Sequence, residues 1–590
     1  MKRKLSYIVA LCIWVNLFFA QTSVELEVLY ADSQALHKKY HIAGSFKSVL
    51  QLNESLEDLI YQLKKDGYLT ASVDTLGCDS AMTKCVATLF VGQKYSIESI
   101  ENGNIEDVVW KKMGLHKLQP GVDLSQLEFI QASMLKYYEN NGFPYAQVWV
   151  DSLALQDGEG SMHLFVETND LITVDSLVVH GNTKTKSKFL QRYLGIESGD
   201  LFSQGKFDAI EQKLKQLPYF RSAQTPEIYF TPGEATLHVF LEKQRSNQFN
   251  LILGVLPNSE LGNKKLTITG EGKLQLLNSF GVGEEIYAEF RQLKPRTQNL
   301  DIAFAYPYFL NSPIGVYGSF NLYKNDSLFI DVNTEVGILY QFGGFNRLKF
   351  FYDNQSSNIL NVDSLSIKNS GVLPTTLDIR NNTYGIALEL QQLDYVLNPR
   401  RGFQLHLSGG VGLNRIKVNQ SIATLIAFDG NPLQFQYDSL PLKRLNYSLA
   451  LNVSQFIPIR KKSTLLLRNQ SKFYVAKNVL ENEKYRIGGY RMLRGFDEEA
   501  IYTPFYSIFT TEFRLLLSQN SYFNLFTDVG IVEDEQKGSG SIDIPVGFGV
   551  GVALETRGGI FSLSYALGRN LDNKIQVRNG KIHFGFVSLF

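Results

Sequence analysis

Few residues in this 590-residue chain have the types and spacing that chemistry requires, and those that do point to electrostatics rather than bond-making. In Gly488-Gly489-Tyr490-Arg491-Met492-Leu493-Arg494-Gly495-Phe496, an arginine, a glycine and an aromatic ring follow one another within a β-rich C-terminal half. Arg494 cannot shed its charge, so a loop that carries it out of water needs a hydrogen-bonded carboxylate. Asp528, among apolar neighbours in Phe526-Thr527-Asp528-Val529-Gly530, is the first candidate partner. Glu555, in Val552-Ala553-Leu554-Glu555-Thr556, is the second. Gly495 permits a tight backbone turn, and Phe496 can anchor the loop on a wall. The bland alternative is a solvated arginine on a surface loop, which would strand Asp528 without a cation.

Other constellations carry less. Cys78 and Cys85 bracket a short polar turn between two strand-like runs and could close a hairpin disulfide in an oxidising compartment. Their spacing is not Cys-x-x-Cys, so neither is a catalytic thiol. His37 and His41 sit four apart but have no clear third ligand, which favours a solvated helix face over a metal site. The chain has no Gly-x-Ser-x-Gly, His-Glu-x-x-His or P-loop pattern, so no enzyme, cofactor or metal is expected. Gly547-Phe548-Gly549-Val550-Gly551 is followed by a strand rather than a helix, so it reads as a flat or kinked patch of sheet.

These residues must be positioned by long-range structure. Lys plus Arg and Asp plus Glu both total 58, which gives no basic surface for nucleic acid. Phe (40) and Tyr (30) are abundant, and the mean hydropathy of −0.10 is too polar for a bundle of membrane helices. A barrel that hides apolar residues at every second position fits that value. Lys2, Arg3 and Lys4 followed by an apolar run from Ile8 to Phe19 read as an export signal over residues 1–20. Such a signal would remove Cys12.

Between about Val24 and Gln244, strands and amphipathic helices alternate. The clearest unit opens on the strand Ile172–Val179 and the turn His180-Gly181-Asn182-Thr183. A helix over Ser187–Leu194 and another over Gln204–Leu217 follow, then Tyr219-Phe220 and two strands. Two weaker copies of this grammar precede it, and the first has no clear opening strand or helix. After Asn247 helical periodicity gives way to alternating segments of about ten residues, the length of a tilted membrane strand. Roughly sixteen such segments fit, and the chain ends in Lys581-Ile582-His583-Phe584-Gly585-Phe586-Val587-Ser588-Leu589-Phe590.

Taken in order, these features resemble the BamA/TamA-like outer-membrane assembly family. The βααββ units look like its POTRA domains, and Arg494-Gly495-Phe496 resembles its lumen-loop tripeptide. Asn278-Ser279-Phe280-Gly281-Val282-Gly283, Tyr306-Pro307-Tyr308-Phe309 and Asn398-Pro399-Arg400-Arg401-Gly402-Phe403 resemble its barrel turns. The resemblance implies α+β POTRA-like tandem domains over 24–93 (degenerate), 94–169 and 170–245. An all-β transmembrane barrel of about 16 antiparallel strands would follow over 246–590, with a lumen loop at about 476–505. It further implies that Arg494 pairs with acidic residues on late strands and that Phe584, Phe586 and Phe590 form a C-terminal strand signal. Three units favour TamA-like members. The expected setting is the bacterial outer membrane, with the POTRA units in the periplasm. The expected partners are unfolded outer-membrane clients, the lipid bilayer and periplasmic or inner-membrane accessory proteins that engage the POTRA units. The implied activity is client insertion or translocation by β-augmentation and lateral opening of a weak seam. The alternative is a dedicated secretion pore for one exported partner.

Overall fold

In a barrel wall that meets lipid, the alternation of a soluble sheet is inverted: apolar side chains face out and polar ones face in. This chain follows that rule from residue 248 onwards. In the computed structural model, the described residues are 24–30, 40, 44–118, 120–122, 124–257, 266–294, 296–343, 345–533, 540–556, 558–569 and 580–589. The expected export signal, His37, His41 and Phe590 lie outside them.

The first compact unit comprises residues 1–173 and 201–205. Its leading sheet runs in the order Ser45–Phe46, Val24–Tyr30, Lys84–Phe90, Ser72–Cys78. The helix Val49–Lys65 starts at the Ser48 cap and buries Leu52, Leu56, Leu59 and Leu63 against that sheet's core. The opening strand that the sequence hid is Val24–Tyr30, which pairs in parallel with Lys84–Phe90. Its burial alternates along the strand, with Val24 and Leu26 inside and Glu25 and Glu27 outside. Cys78 and Cys85 face each other in register and are joined by a disulfide. A second sheet places Glu159–Glu167 between Ser96–Asn102 and Gln147–Gln156, with Met134 and Tyr138 of the helix Leu124–Glu139 in its core.

The second unit comprises residues 174–200 and 206–590. Its α/β part carries a sheet with Glu234–Lys243 between Thr173–Gly181 and Glu227–Thr231. The single helix expected over 204–217 is two, Gln204–Asp208 and Ile210–Gln216, yet Phe207, Ile210 and Leu214 are all buried.

The rest is a closed antiparallel barrel of sixteen strands. In order they are β1 (Gln248–Pro257), β2 (Leu266–Leu277), β3 (Glu285–Lys294), β4 (Thr297–Tyr306), β5 (Ile314–Asn325), β6 (Phe329–Gly343), β7 (Asn346–Ile359) and β8 (Ile379–Leu393). Then come β9 (Gly402–Ile416), β10 (Lys443–Arg460), β11 (Ser463–Ala476), β12 (Phe505–Leu516), β13 (Tyr522–Glu533), β14 (Val546–Thr556), β15 (Gly559–Arg569) and β16 (Lys581–Leu589). Ile542–Asp543 pairs with β13 just ahead of β14 and counts with it. Outward side chains include Phe350, Ile386, Phe509, Phe513, Phe523, Leu525 and Ile582, all exposed. Inward ones include Glu289, Asp331, Lys349, Asn381, Asn446, Glu512 and Asp528, all buried. Away from the β1–β16 junction, neighbouring strands pair along most of their length, as hydrocarbon demands. No helix among the described residues is long and apolar enough to cross a membrane.

Candidate functional site

The chain leaves β11 at Ala476 and returns to the wall at Phe505, and residues 477–504 between them fold into the lumen. Tyr485–Ile487 and Ile501–Thr503 pair as an antiparallel stem. Beyond the stem, Gly488, Gly489 and Gly495 adopt φ of 126°, 84° and 94°, angles that strain any residue with a Cβ. Ile487, Leu493, Met492, Phe496 and Ile501 form a small apolar core with Tyr506, Ile508 and Val532 of the wall. Phe496 is the anchor that its type suggested.

Arg494 lies 6% exposed at the tip and Asp528 on β13 is 0% exposed. Arg494 Nε donates to Asp528 Oδ2 at 2.7 Å and Nη2 donates to Oδ1 at 2.8 Å, a bidentate fork. The Arg494 backbone N–H also reaches Oδ2, at 3.1 Å. The third arm, Nη1, donates to Glu512 Oε2 on β12 at 2.7 Å. Thr510 Oγ1 donates to Asp528 Oδ1 at 2.8 Å, and the guanidinium carbon lies 3.5 Å from the Phe526 ring centroid. Glu512 is shared with Arg514, whose Nη1 reaches Asn398 Oδ1 at 3.1 Å. Asn398 belongs to the turn between β8 and β9. One polar chain therefore links that turn, two strands and the loop tip.

Gly547 and Gly568 admit the tip. A Cβ on Gly547 would lie 1.8 Å from the Arg494 carbonyl oxygen, and one on Gly568 would lie 2.4 Å from that of Gly495. Gly547, the first glycine of the run in β14, and Gly568 of β15 thus leave room for the loop backbone, while Gly549 and Gly551 face neighbouring strands.

Glu555 is not a loop partner. It accepts from Asn520 Nδ2 at 2.9 Å, and its own N–H donates to Ser521 Oγ, which ties it to the β12–β13 turn. Glu512 takes the place proposed for it. The sequence did hold a signal: Thr510, Glu512 and Arg514 alternate with Phe509, Phe513 and Leu515, a polar face turned inward. Phe584 is exposed and Phe586 half-buried on the outer face of β16, both beside Phe561 of β15.

The loop holds the rest of the wall through residues that sequence reasoning passed over. Arg486 Nη2 donates to Asp331 Oδ2 on β6 at 3.1 Å, and Tyr323 of β5 donates to Glu499 at 2.7 Å. Arg444 of β10 and Glu483 form an ion pair, 1% and 2% exposed, at 2.9 Å. Leu480 joins an apolar cap on Ile367, Leu377, Ile422, Leu433 and Tyr437, which the inter-strand loops 360–378 and 417–442 supply. Among the described residues, no group of three or more His, Cys, Asp or Glu side chains could hold a metal ion.

Two further features frame this loop. The barrel closes where β1 meets β16, and the described pairing there is limited to Gln248↔Leu589 and Phe249↔Ser588. The neighbouring β1–β2 ladder, by contrast, runs from Gln248↔Gln275 to Pro257↔Leu266. At the opposite end of the strands from the cap, the turn before β3 docks on the α/β part of the same unit. Asn278 Nδ2 donates to Thr185 Oγ1 at 2.7 Å, and Lys186 N–H donates to Gly281 O at 2.8 Å. Phe189 meets Tyr308, and Tyr193 meets Phe345, edge to face. Burial pushes the phenol of Tyr193 well above its ordinary range.

Comparison with known proteins places this geometry. Residues 278–590 match the Omp85 superfamily domain, and residues 172–244 match POTRA, the surface antigen variable number repeat. A Treponema pallidum protein named as an outer membrane protein assembly factor is 26% identical over 155 residues. That match covers 26% of this chain and 18% of the relative. Among solved structures, CdiB from Escherichia coli aligns with a TM-score of 0.52 at 11% identity, over 92% of this chain and 98% of that one. CdiB from Acinetobacter baumannii gives a TM-score of 0.51 at 14% identity, over 92% and 97%. At such identities the likeness concerns the fold.

Proposed function

This chain belongs to the Omp85 superfamily of the outer membrane, with POTRA structure in the periplasm, and from that premise we propose that it inserts client β-barrels through its own seam. Assembly or transport of proteins at the outer membrane is the family's business; the client class and the route are the proposal. The observation that carries it is the β1–β16 junction, where two register pairs close a sixteen-stranded wall. Beyond them, no register pair is described between the rest of β1 and the rest of β16. Unpaired strand edges are templates for an incoming strand. A client hairpin that pairs there enters lipid with its backbone satisfied, which removes the main penalty of insertion. Nothing in this exchange needs a nucleotide or a bond-making residue, so the protein acts without catalysis of its own.

A dedicated secretion pore would have to move its lumen-filling parts aside before a partner could pass. Here Arg494, Arg486 and Glu483 tie a loop to the inner wall, and Leu480 of that loop packs into the apolar cap. The seam route is therefore the better reading, and the three-unit reading of the N-terminal half keeps it TamA-like. The test is assembly of an unfolded barrel client into liposomes that hold the full-length protein, scored by protease protection. Protection should build faster than in empty liposomes, and Arg494→Ala should slow it. Equal rates with correctly folded protein would reject the reading.

A further inference from the structure

Arg491 and Arg494 lie three residues apart, yet they hold opposite sides of the seam. Arg494 grips β12 and β13 through Glu512 and Asp528. Arg491 reaches the other way. Its Nη2 donates to Glu289 Oε1 on β3 at 2.6 Å and to Glu271 Oε1 on β2 at 2.8 Å, while Nη1 donates to Glu289 Oε2 at 3.1 Å. Glu289 is 2% exposed while the Arg491 side chain is 46% exposed, so the carboxylate end of this forked contact is buried and the guanidinium end meets solvent. The loop also touches β16 directly: Asp497 pairs with Lys581 Nζ at 2.7 Å, and the Tyr490 ring lies 5.6 Å from that of His583. Tyr490 N–H donates to Glu498 Oε1 at 3.0 Å, which closes the segment between the two arginines on itself.

From these contacts we infer that Arg491 is a positioning residue that staples the seam shut from inside the lumen. Around the wall, β13 and β2 stand five strand steps apart through the β1–β16 junction. Backbone pairing at that junction is two register pairs. The path Asp528–Arg494–loop–Arg491–Glu271 spans the same interval with charge-assisted hydrogen bonds at both ends, and Glu289 carries it one strand further, to β3. Side chains thus supply the closure that the ladder lacks, and the seam opens when Arg491 lets go while Arg494 keeps the loop docked. The inference takes from the proposed function only that the seam is the element that opens.

The staple is a series connection, so cutting either arm should release the same junction. Amide hydrogen exchange on the full-length protein in lipid nanodiscs reads this without any client. Arg491→Gln should speed exchange in β1 and β16 by about tenfold, the scale of one lost charge-assisted hydrogen bond. Exchange in β12, β13 and Met492–Phe496 should stay at the wild-type rate. Combining it with Glu289→Gln should add nothing further at the seam. Acceleration confined to β2 and β3, with β16 unchanged, would reduce Arg491 to local packing and overturn the inference, as would no change. If Arg491→Gln does not assemble, Glu271→Gln leaves Glu289 in place and tests the same arm with a smaller effect. Faster seam exchange without any change in client insertion would keep the staple and reject the insertion reading.

Discussion

A buried ion pair is often no more stabilising than an apolar substitute, but removing one partner strands a charge at a cost of about 3–5 kcal/mol. Arg494 is such a case, because Asp528 would be left fully buried with no cation and only Thr510 and the backbone N–H of residue 494 to donate to it. Arg494→Ala is expected to release residues 477–504, seen as new cleavage sites when the folded protein meets a broad-specificity protease. Arg494→Lys should release them too, since one ammonium cannot span both Asp528 oxygens and Glu512 at once. Glu555→Gln should leave the loop protected, because its partners are Asn520 and Ser521. Gly547→Ala should mimic the arginine change, as its Cβ would stand 1.8 Å from the Arg494 carbonyl. Gly272→Ala on β2 meets nothing within 4 Å and should be silent in the same assay. Arg494 and Asp528 were legible because each is an expensive residue in an apolar setting. Glu512 was not, because its place beside Arg494 follows from the register Thr510↔Asp528, which no single strand contains.

At the scale of elements, alternation made the strands readable, while the pieces that plug and dock the barrel left weaker marks. The helices Ser364–Ser370, Gln420–Ala423 and Gln434–Ser439 of the cap are one or two turns long and sit inside loops, too short to show a period. The turn Asn278–Gly283 was legible as a motif, but its docking on Thr185, Lys186 and Phe189 depends on contacts nearly a hundred residues apart. Its glycines make the docking testable. Gly281 has φ of 78°, and a Cβ there would lie 2.1 Å from the Lys184 carbonyl oxygen, a backbone atom that cannot rotate aside. Gly281→Ala should therefore loosen the α/β part from the barrel, seen as faster amide exchange in Ser187–Leu194 while β5–β10 keep their wild-type rates. Equal exchange in both variants would show that the turn does not fix this contact.

For the whole molecule, two properties belong together. The lumen is obstructed by a loop that is itself held by β5, β6, β10, β12 and β13, so the wall has internal cross-ties. Among the described residues, the seam is the barrel junction with the fewest register pairs. A barrel built in this way can part at one junction and keep its shape elsewhere, which is what strand-by-strand assembly in lipid requires. The most direct test locks that junction. Phe249 and Ser588 are register partners, and paired antiparallel positions stand about 4.5–5.5 Å apart, within disulfide reach. The full-length Phe249→Cys, Ser588→Cys variant is compared oxidised and reduced, beside wild type treated identically to account for Cys78–Cys85. Insertion of an unfolded barrel client into liposomes is followed by protease protection. The account predicts that insertion stops when the seam is locked and returns on reduction. Insertion at the wild-type rate through a locked seam would contradict it.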